Sequence, residues 1–249
     1  MASGNKDNRP TVRIGVFIPA DCQVLDAASV DIMGSLSHKY MTMVSRIVPQ
    51  AVVDLAPLVD VHWIGTVAGG KPMLLTSNQS VIATDHYGDA AVAPGKLDIV
   101  LIPGPDPFAS FEAGPLAWLK AQFDTPGVDI LSVCTGIFVC GDAGILKGRT
   151  ACGPRGMQEM IKAKGWGQKE LVGHKYRWVQ DGNLWTSGGV TNGNDLVAAY
   201  CRASRHFPTP LVEILCEMMD VGERPQGYTK EMEWPAKVAE IVKNSAAHV

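Results

Sequence analysis

Apolar residues gather along this chain in short unbroken runs, separated by stretches of helical spacing. The first run is Val12-Arg13-Ile14-Gly15-Val16-Phe17-Ile18-Pro19; others occupy residues 60–65, 97–102 and 129–133. Runs of this length, rich in β-branched residues and apolar at both odd and even positions, suit central strands buried on both faces of a parallel sheet. Between them, Ala28, Ile32 and Leu36 recur at i, i+4 and i+8 and predict a helix over residues 27–45, while Leu116, Leu119 and Phe123 predict another over 115–123. Residues 77–84 read as a further strand among hairpin turn residues. Past the last run, residues 175–179 and 183–187 predict a strand pair turning at Gln180-Asp181-Gly182. Helices are expected from near Asn194, over 209–221 and over 230–242, with a break at Gly222-Glu223-Arg224-Pro225. Strands alternating with helices predict an α/β fold, a doubly wound, mostly parallel sheet sandwiched by helices. Residues 1–11 read as a disordered lead-in and 12–249 as a single α/β domain ending in helices.

Composition narrows the function classes. A net charge of −3 with dispersed Lys and Arg leaves no basic stripe, so nucleic acid is not an expected partner. No apolar run approaches the roughly 18 residues of a spanning helix, and the polar start has no signal-type apolar segment. A cytoplasmic protein with no membrane partner is the expectation. The six cysteines form no CxxC pair and no Cys/His metal spacing, so thiols are expected and no metal site. The glycine-rich stretch Gly188–Gly193 lacks GxGxxG spacing, so a nucleotide is not expected there.

The candidate chemistry centres on Cys134. The run from Asp129 drives straight into it and a helix-capable segment begins at once, with the small residues Ser132 and Gly136 two positions to either side. A sharp strand-to-helix turn crowds those two positions and holds its central residue in a strained conformation, lifting one side chain out of the fold as a nucleophile elbow. A helix N-terminus favours thiolate, and its free N–H groups can hold an oxyanion. The alternative is a buried free cysteine without chemistry. Ligands of open parallel sheets bind at the carboxyl ends of strands, near a topological switch point. Three strand ends are chemically suggestive: the loop after Ile18, which leads to Asp26, the turn at Gly104, and Cys134 itself. For Asp26 a helix N-cap is the competing reading.

Several segments in order and spacing carry a resemblance: Leu25-Asp26-Ala27-Ala28-Ser29-Val30-Asp31, Ile102-Pro103-Gly104, Ser132-Val133-Cys134-Thr135-Gly136, Ala143-Gly144-Ile145-Leu146-Lys147-Gly148-Arg149 and Trp185-Thr186-Ser187-Gly188-Gly189-Val190. Over residues 12–205 the chain resembles the ThiJ/PfpI branch of the class I glutamine amidotransferase-like superfamily, and within it the isonitrile hydratase-like proteins. The resemblance implies a flavodoxin-like fold, a homodimer, a small-molecule substrate and no cofactor. It implies that Cys134 is the reactive cysteine and Asp26 the acid that approaches its sulfur. Thr135 would supply an oxyanion-hole N–H, with Gly104 and Gly188 in the oxyanion and substrate-binding set. The implied activity is a cysteine-dependent hydratase or lyase that turns an isonitrile into an N-substituted formamide. Alternatives are a glyoxalase-like enzyme acting on carbonyl compounds and a redox-sensing thiol protein. Regulators of this family append a DNA-binding domain, for which the 45 residues after Ser204 are too few.

The chain also departs from the family pattern. Pro105 replaces a glycine whose N–H helps hold the oxyanion, and proline has none; Asp106 N–H is the expected substitute. The family's histidine after the segment matching Gly148-Arg149 is missing from Thr150-Ala151-Cys152-Gly153-Pro154-Arg155. His174 could replace it only by folding over the site, and Cys152 is the candidate second thiol. Cys140 reads as core.

Overall fold

The computed structural model describes residues 8–246. β1 (Thr11–Ile18) is followed by the short helices α1 (Val24–Ala27), α2 (Val30–Ser35), α3 (His38–Met43) and α4 (Gln50–Val53). Next come β2 (Leu58–Gly65), a hairpin of β3 (Pro72–Leu75) and β4 (Gln79–Ile82), and β5 (Asp85–His86). β6 (Ile99–Ile102), α5 (Ala113–Asp124), β7 (Asp129–Ser132) and α6 (Gly136–Asp142) follow. The second half holds β8 (Thr150–Ala151), α7 (Gln158–Ala163), β9 (Glu170–Leu171), β10 (Trp178–Asp181), β11 (Leu184–Ser187), α8 (Asn192–Ala203), α9 (Thr209–Met218) and α10 (Trp234–Ala246). Thr11, the last residue of the expected lead-in, belongs to β1; residues 1–7 lie outside the described residues.

The central sheet has seven strands in the order β10-β11-β7-β6-β1-β2-β5. All neighbours run parallel except β10 against β11. Alternate residues of each central strand enter opposite cores, as the two-residue period of a strand requires. Ile14, Val16, Leu101 and Leu131 pack on one face under α2, α8 and α9. Phe17, Val100, Ile102 and Ile130 pack on the other, with Trp118 and Leu119 of α5 and Ile137 and Phe138 of α6. Burial on both faces is why the strands read as unbroken apolar runs. None of the helices among the described residues is long and apolar enough to cross a membrane.

The chain winds from β1 outward to β2 and β5, then returns to the far side of β1 as β6. The switch point therefore opens between the carboxyl ends of β1 and β6, with the end of β7 beside it. The backbone stitches these ends together: Gln23 N–H donates to Gly104 O at 2.9 Å.

The helix expected over residues 27–45 is instead three short ones, α1 to α3. Serine explains the last break: Ser37 is extended and its hydroxyl accepts from Tyr40 N–H, capping α3. The β10–β11 hairpin turns one residue later than expected, at Gly182-Asn183, with Gly182 at a φ of 63°.

Candidate active site

β7 ends at Ser132, and Val133 N–H still donates to Ile102 O at 3.0 Å before the chain turns at Cys134. Cys134 has a φ of 56°, the left-handed strain expected of an elbow. The crowding that demands a small residue two positions later is explicit. A Cβ on Gly136 would lie 2.4 Å from Ile102 O.

Asp26 comes to this turn from the other side of the switch point. It lies within α1, whose N-cap is Gln23, so its carboxyl is not a helix cap. The side chain is fully buried, and Oδ2 accepts from Gly104 N–H at 3.0 Å. Oδ1 has no hydrogen-bond partner among the described residues. Burial pushes the Asp26 carboxyl up to about 6, against the pull of Gly104 N–H and the Cys134 side chain. The Cys134 thiol is pushed up to about 11, first by burial and then by the Asp26 charge, while the N–H groups of Val190 and Thr135 pull it down. Near neutral pH the buried pair therefore shares one proton. Burial opposes the thiolate expected from the helix N-terminus. α6 is only seven residues long and Cys134 is 8% exposed, so desolvation wins.

The other expected residues are placed as follows. Thr135 N–H reaches the Cys134 sulfur, and its hydroxyl donates to Pro105 O at 2.6 Å. Gly104 packs so closely that a Cβ would lie 2.3 Å from Thr135 Oγ1 and 2.6 Å from Asp26 Oδ2. Gly104→Ala should thus displace the carboxylate and destabilise the fold by about 1–3 kcal/mol, the usual cost of overpacking; urea titration beside wild type would check it. Asp106 is not brought to the sulfur as a free donor: it is exposed, and its N–H donates to Asp21 Oδ1 at 3.2 Å. Gly188 is buried just past β11 against Asn192 and Tyr228, and its N–H donates to Arg177 O at 2.7 Å. His174 is exposed beside Gln158 and Lys162, with no bond to the elbow. Cys140 and Cys152 are fully buried, and the Cys152 thiol donates to Tyr176 O at 3.2 Å.

The donor that sequence reasoning missed is Val190. It holds a φ of 38°, rare for a β-branched residue, and this turn aims its N–H at the Cys134 sulfur. Asn192 N–H to Gly189 O and Gly193 N–H to Val190 O, at 3.0 and 2.9 Å, secure the turn at the start of α8.

The model of the DJ-1/PfpI family matches residues 39–203, which include Cys134 and Val190 but not Asp26. The chain is 30% identical over 155 residues to isonitrile hydratase of Pseudomonas putida, an alignment covering 59% of this chain and 60% of that one. The chain thus spans less than two-thirds of that relative's length. Among solved structures, it is similar to a ThiJ/PfpI family protein from Pseudomonas syringae, with a TM-score of 0.69, 19% identity, and coverage of 100% of this chain and 93% of that one. DJ-1 of Schizosaccharomyces pombe aligns with a TM-score of 0.60 at 14% identity, covering 86% of this chain and 100% of that one.

Proposed function

Since the chain belongs to the DJ-1/PfpI family, we propose that it is a cysteine-dependent hydratase that converts an isonitrile into the corresponding N-substituted formamide. The observation that carries this reading is the buried Cys134–Asp26 pair, a thiol and a carboxylate sharing one proton at the switch point. Likeness to the Pseudomonas putida enzyme supports the substrate class.

Asp26 takes the thiol proton as sulfur adds to the terminal isonitrile carbon, then returns it to that carbon, giving the thioimidate R–N=CH–S–Cys134. Water adds to the same carbon, and one of its protons passes to nitrogen. The carbon–sulfur bond then breaks, releasing R–NH–CHO, while the remaining hydroxyl proton restores the thiol through Asp26. One water is consumed and no oxidant or reductant is required. The N–H groups of Thr135 and Val190 stabilise first the sulfur anion and then charge on the oxygen of the tetrahedral intermediate.

Attack on a carbonyl puts charge on oxygen at once, whereas attack on an isonitrile does so only after water adds. Pro105 supplies no N–H and that of Asp106 is committed to Asp21. Pro105→Gly should therefore leave isonitrile kcat nearly unchanged and raise any activity on aldehydes, because a missing oxyanion donor costs about 10²-fold to 10³-fold. A large fall in isonitrile kcat with the fold preserved would contradict this.

The test of the proposal is direct. Reduced protein incubated with alkyl and aryl isonitriles should release formamides, detected by mass spectrometry, faster than it consumes any aldehyde. Turnover of aldehydes alone would replace the substrate class with a carbonyl.

A further inference from the structure

Beyond α9 the chain returns across the carboxyl end of the sheet. Arg177 N–H donates to Gln226 O at 2.7 Å, and Tyr228 N–H donates to Lys175 O at 2.9 Å. This return brings Tyr228 between two arginines: the guanidinium carbons of Arg155 and Arg177 lie 3.9 and 4.5 Å from its ring centroid. Each guanidinium gives one N–H to a carbonyl, Arg155 to Lys230 O at 3.0 Å and Arg177 to Gly227 O at 3.3 Å. Neither has a carboxylate within ion-pair distance among the described residues. Asp195, whose charge feels Arg177, is already gripped by Arg224 through two hydrogen bonds. The Nε atoms of both arginines are buried without partners.

Two half-buried like charges on one ring are costly without a counter-ion, and ring stacking offsets only part of that cost. The tyrosine adds a donor. Its oxygen accepts from Asn192 Nδ2 at 2.9 Å, and its own O–H proton has no acceptor among the described residues.

The place of this cluster connects it to Cys134. Arg177 O accepts from Gly188 N–H, and β11 runs parallel to β7 with Thr186 opposite Ser132. The backbone of Arg177 thus lies two strands away from the end of β7, about 10 Å across the sheet. The Tyr228 oxygen is only 2.8 Å from where a Cβ of Gly188 would be, so the phenol packs directly on the glycine that follows β11.

We propose that Arg155, Arg177 and Tyr228 form an anion subsite that holds a substrate carboxylate while the electrophilic carbon at the substrate's other end meets Cys134. The proposal rests on the hydratase reading for the reacting end alone. The preferred substrate is a linear isonitrile carrying a distal carboxylate, bound by two cationic donors and one phenolic O–H.

The test separates the subsite from the chemistry. Caproate and its neutral amide, neither of which can react, are titrated onto wild-type protein by calorimetry. Caproate should bind about tenfold or more tightly than caproamide, the worth of charge-assisted hydrogen bonds. In the Arg155→Gln/Arg177→Gln protein the preference should vanish, and in Arg155→Lys/Arg177→Lys part of it should remain. Equal binding of acid and amide by wild type overturns the subsite without reference to any variant. So does a preference that survives in a double-glutamine protein melting like wild type. Inorganic phosphate binding more tightly than caproate would overturn the carboxylate assignment in favour of a phosphate ester. In turnover, ε-isocyanocaproate should exceed its methyl ester in kcat/KM by a similar factor. Caproate preference with no turnover of either isonitrile would leave the subsite standing and overturn the hydratase.

Discussion

Cys134→Ser should reduce isonitrile turnover by about 10⁴-fold or more, the scale of losing a nucleophile outright. The hydroxyl is a far weaker acid than the thiol, and Asp26, with a carboxyl near 6, is too weak a base to ionise it. Serine preserves shape, which matters because Cys134 is 8% exposed and packs in the core of one sheet face rather than on a surface turn. The melting temperature should move by only a few degrees, as about 1 kcal/mol allows. Steady-state kinetics on the folded variant would check this. Retention of more than about 1% of kcat would transfer the nucleophile's role to another thiol, since deleting a nucleophile leaves far less.

Asp26→Asn should cost about 10²-fold to 10⁴-fold in kcat/KM, the usual range for a positioned general acid–base. Wild-type activity should rise with pH along a limb near 6, as the carboxylate that accepts the thiol proton forms. Stability should run the other way. Burial raises this carboxyl from 3.8 to about 6, so the fold favours its protonated form. That contribution is fully present below about 3.8 and is lost as pH rises through about 6. At pH 8 the ionised, fully buried group costs on the order of 3 kcal/mol, a cost asparagine does not carry. Asn also retains an oxygen to accept Gly104 N–H. Urea titrations at pH 5 and pH 8 should show the variant gaining on wild type at the higher pH. A variant destabilised at pH 8, yet active in its folded fraction, would return Asp26 to a structural role.

The parts of the site that depend on local rules were legible in the sequence. Ser132 and Gly136 flank Cys134 because a tight elbow leaves no room there, and the close approach of Ile102 O to Gly136 is that rule in space. The central strands were legible because burial on both faces removes polar residues from them. What depended on long-range contact was not. Asp106 looked like a replacement donor until Asp21, 85 residues away, took its N–H. Nothing in Gly189-Val190-Thr191 announces a β-branched residue at positive φ aimed at a sulfur. The acidity of Cys134 depends on long-range contact in the same way. The helix terminus is visible in the sequence, but the burial and the Asp26 charge that outweigh it come from the assembled switch point. Tyr228 meets Arg155 and Arg177 only through the return of the chain beyond α9.

Limited alkylation of the reduced protein with iodoacetamide, read by peptide mapping across pH with and without an isonitrile present, tests the reactive pair most directly. Cys134 should be labelled first, because it is 8% exposed while the other five thiols are at most 2% exposed. Its rate should still be climbing at pH 9, since the thiol is held up at about 11, and the isonitrile should protect it. First labelling of Cys22 or Cys152, or a Cys134 rate already level below pH 7, would contradict a buried thiol–carboxylate pair as the reactive centre.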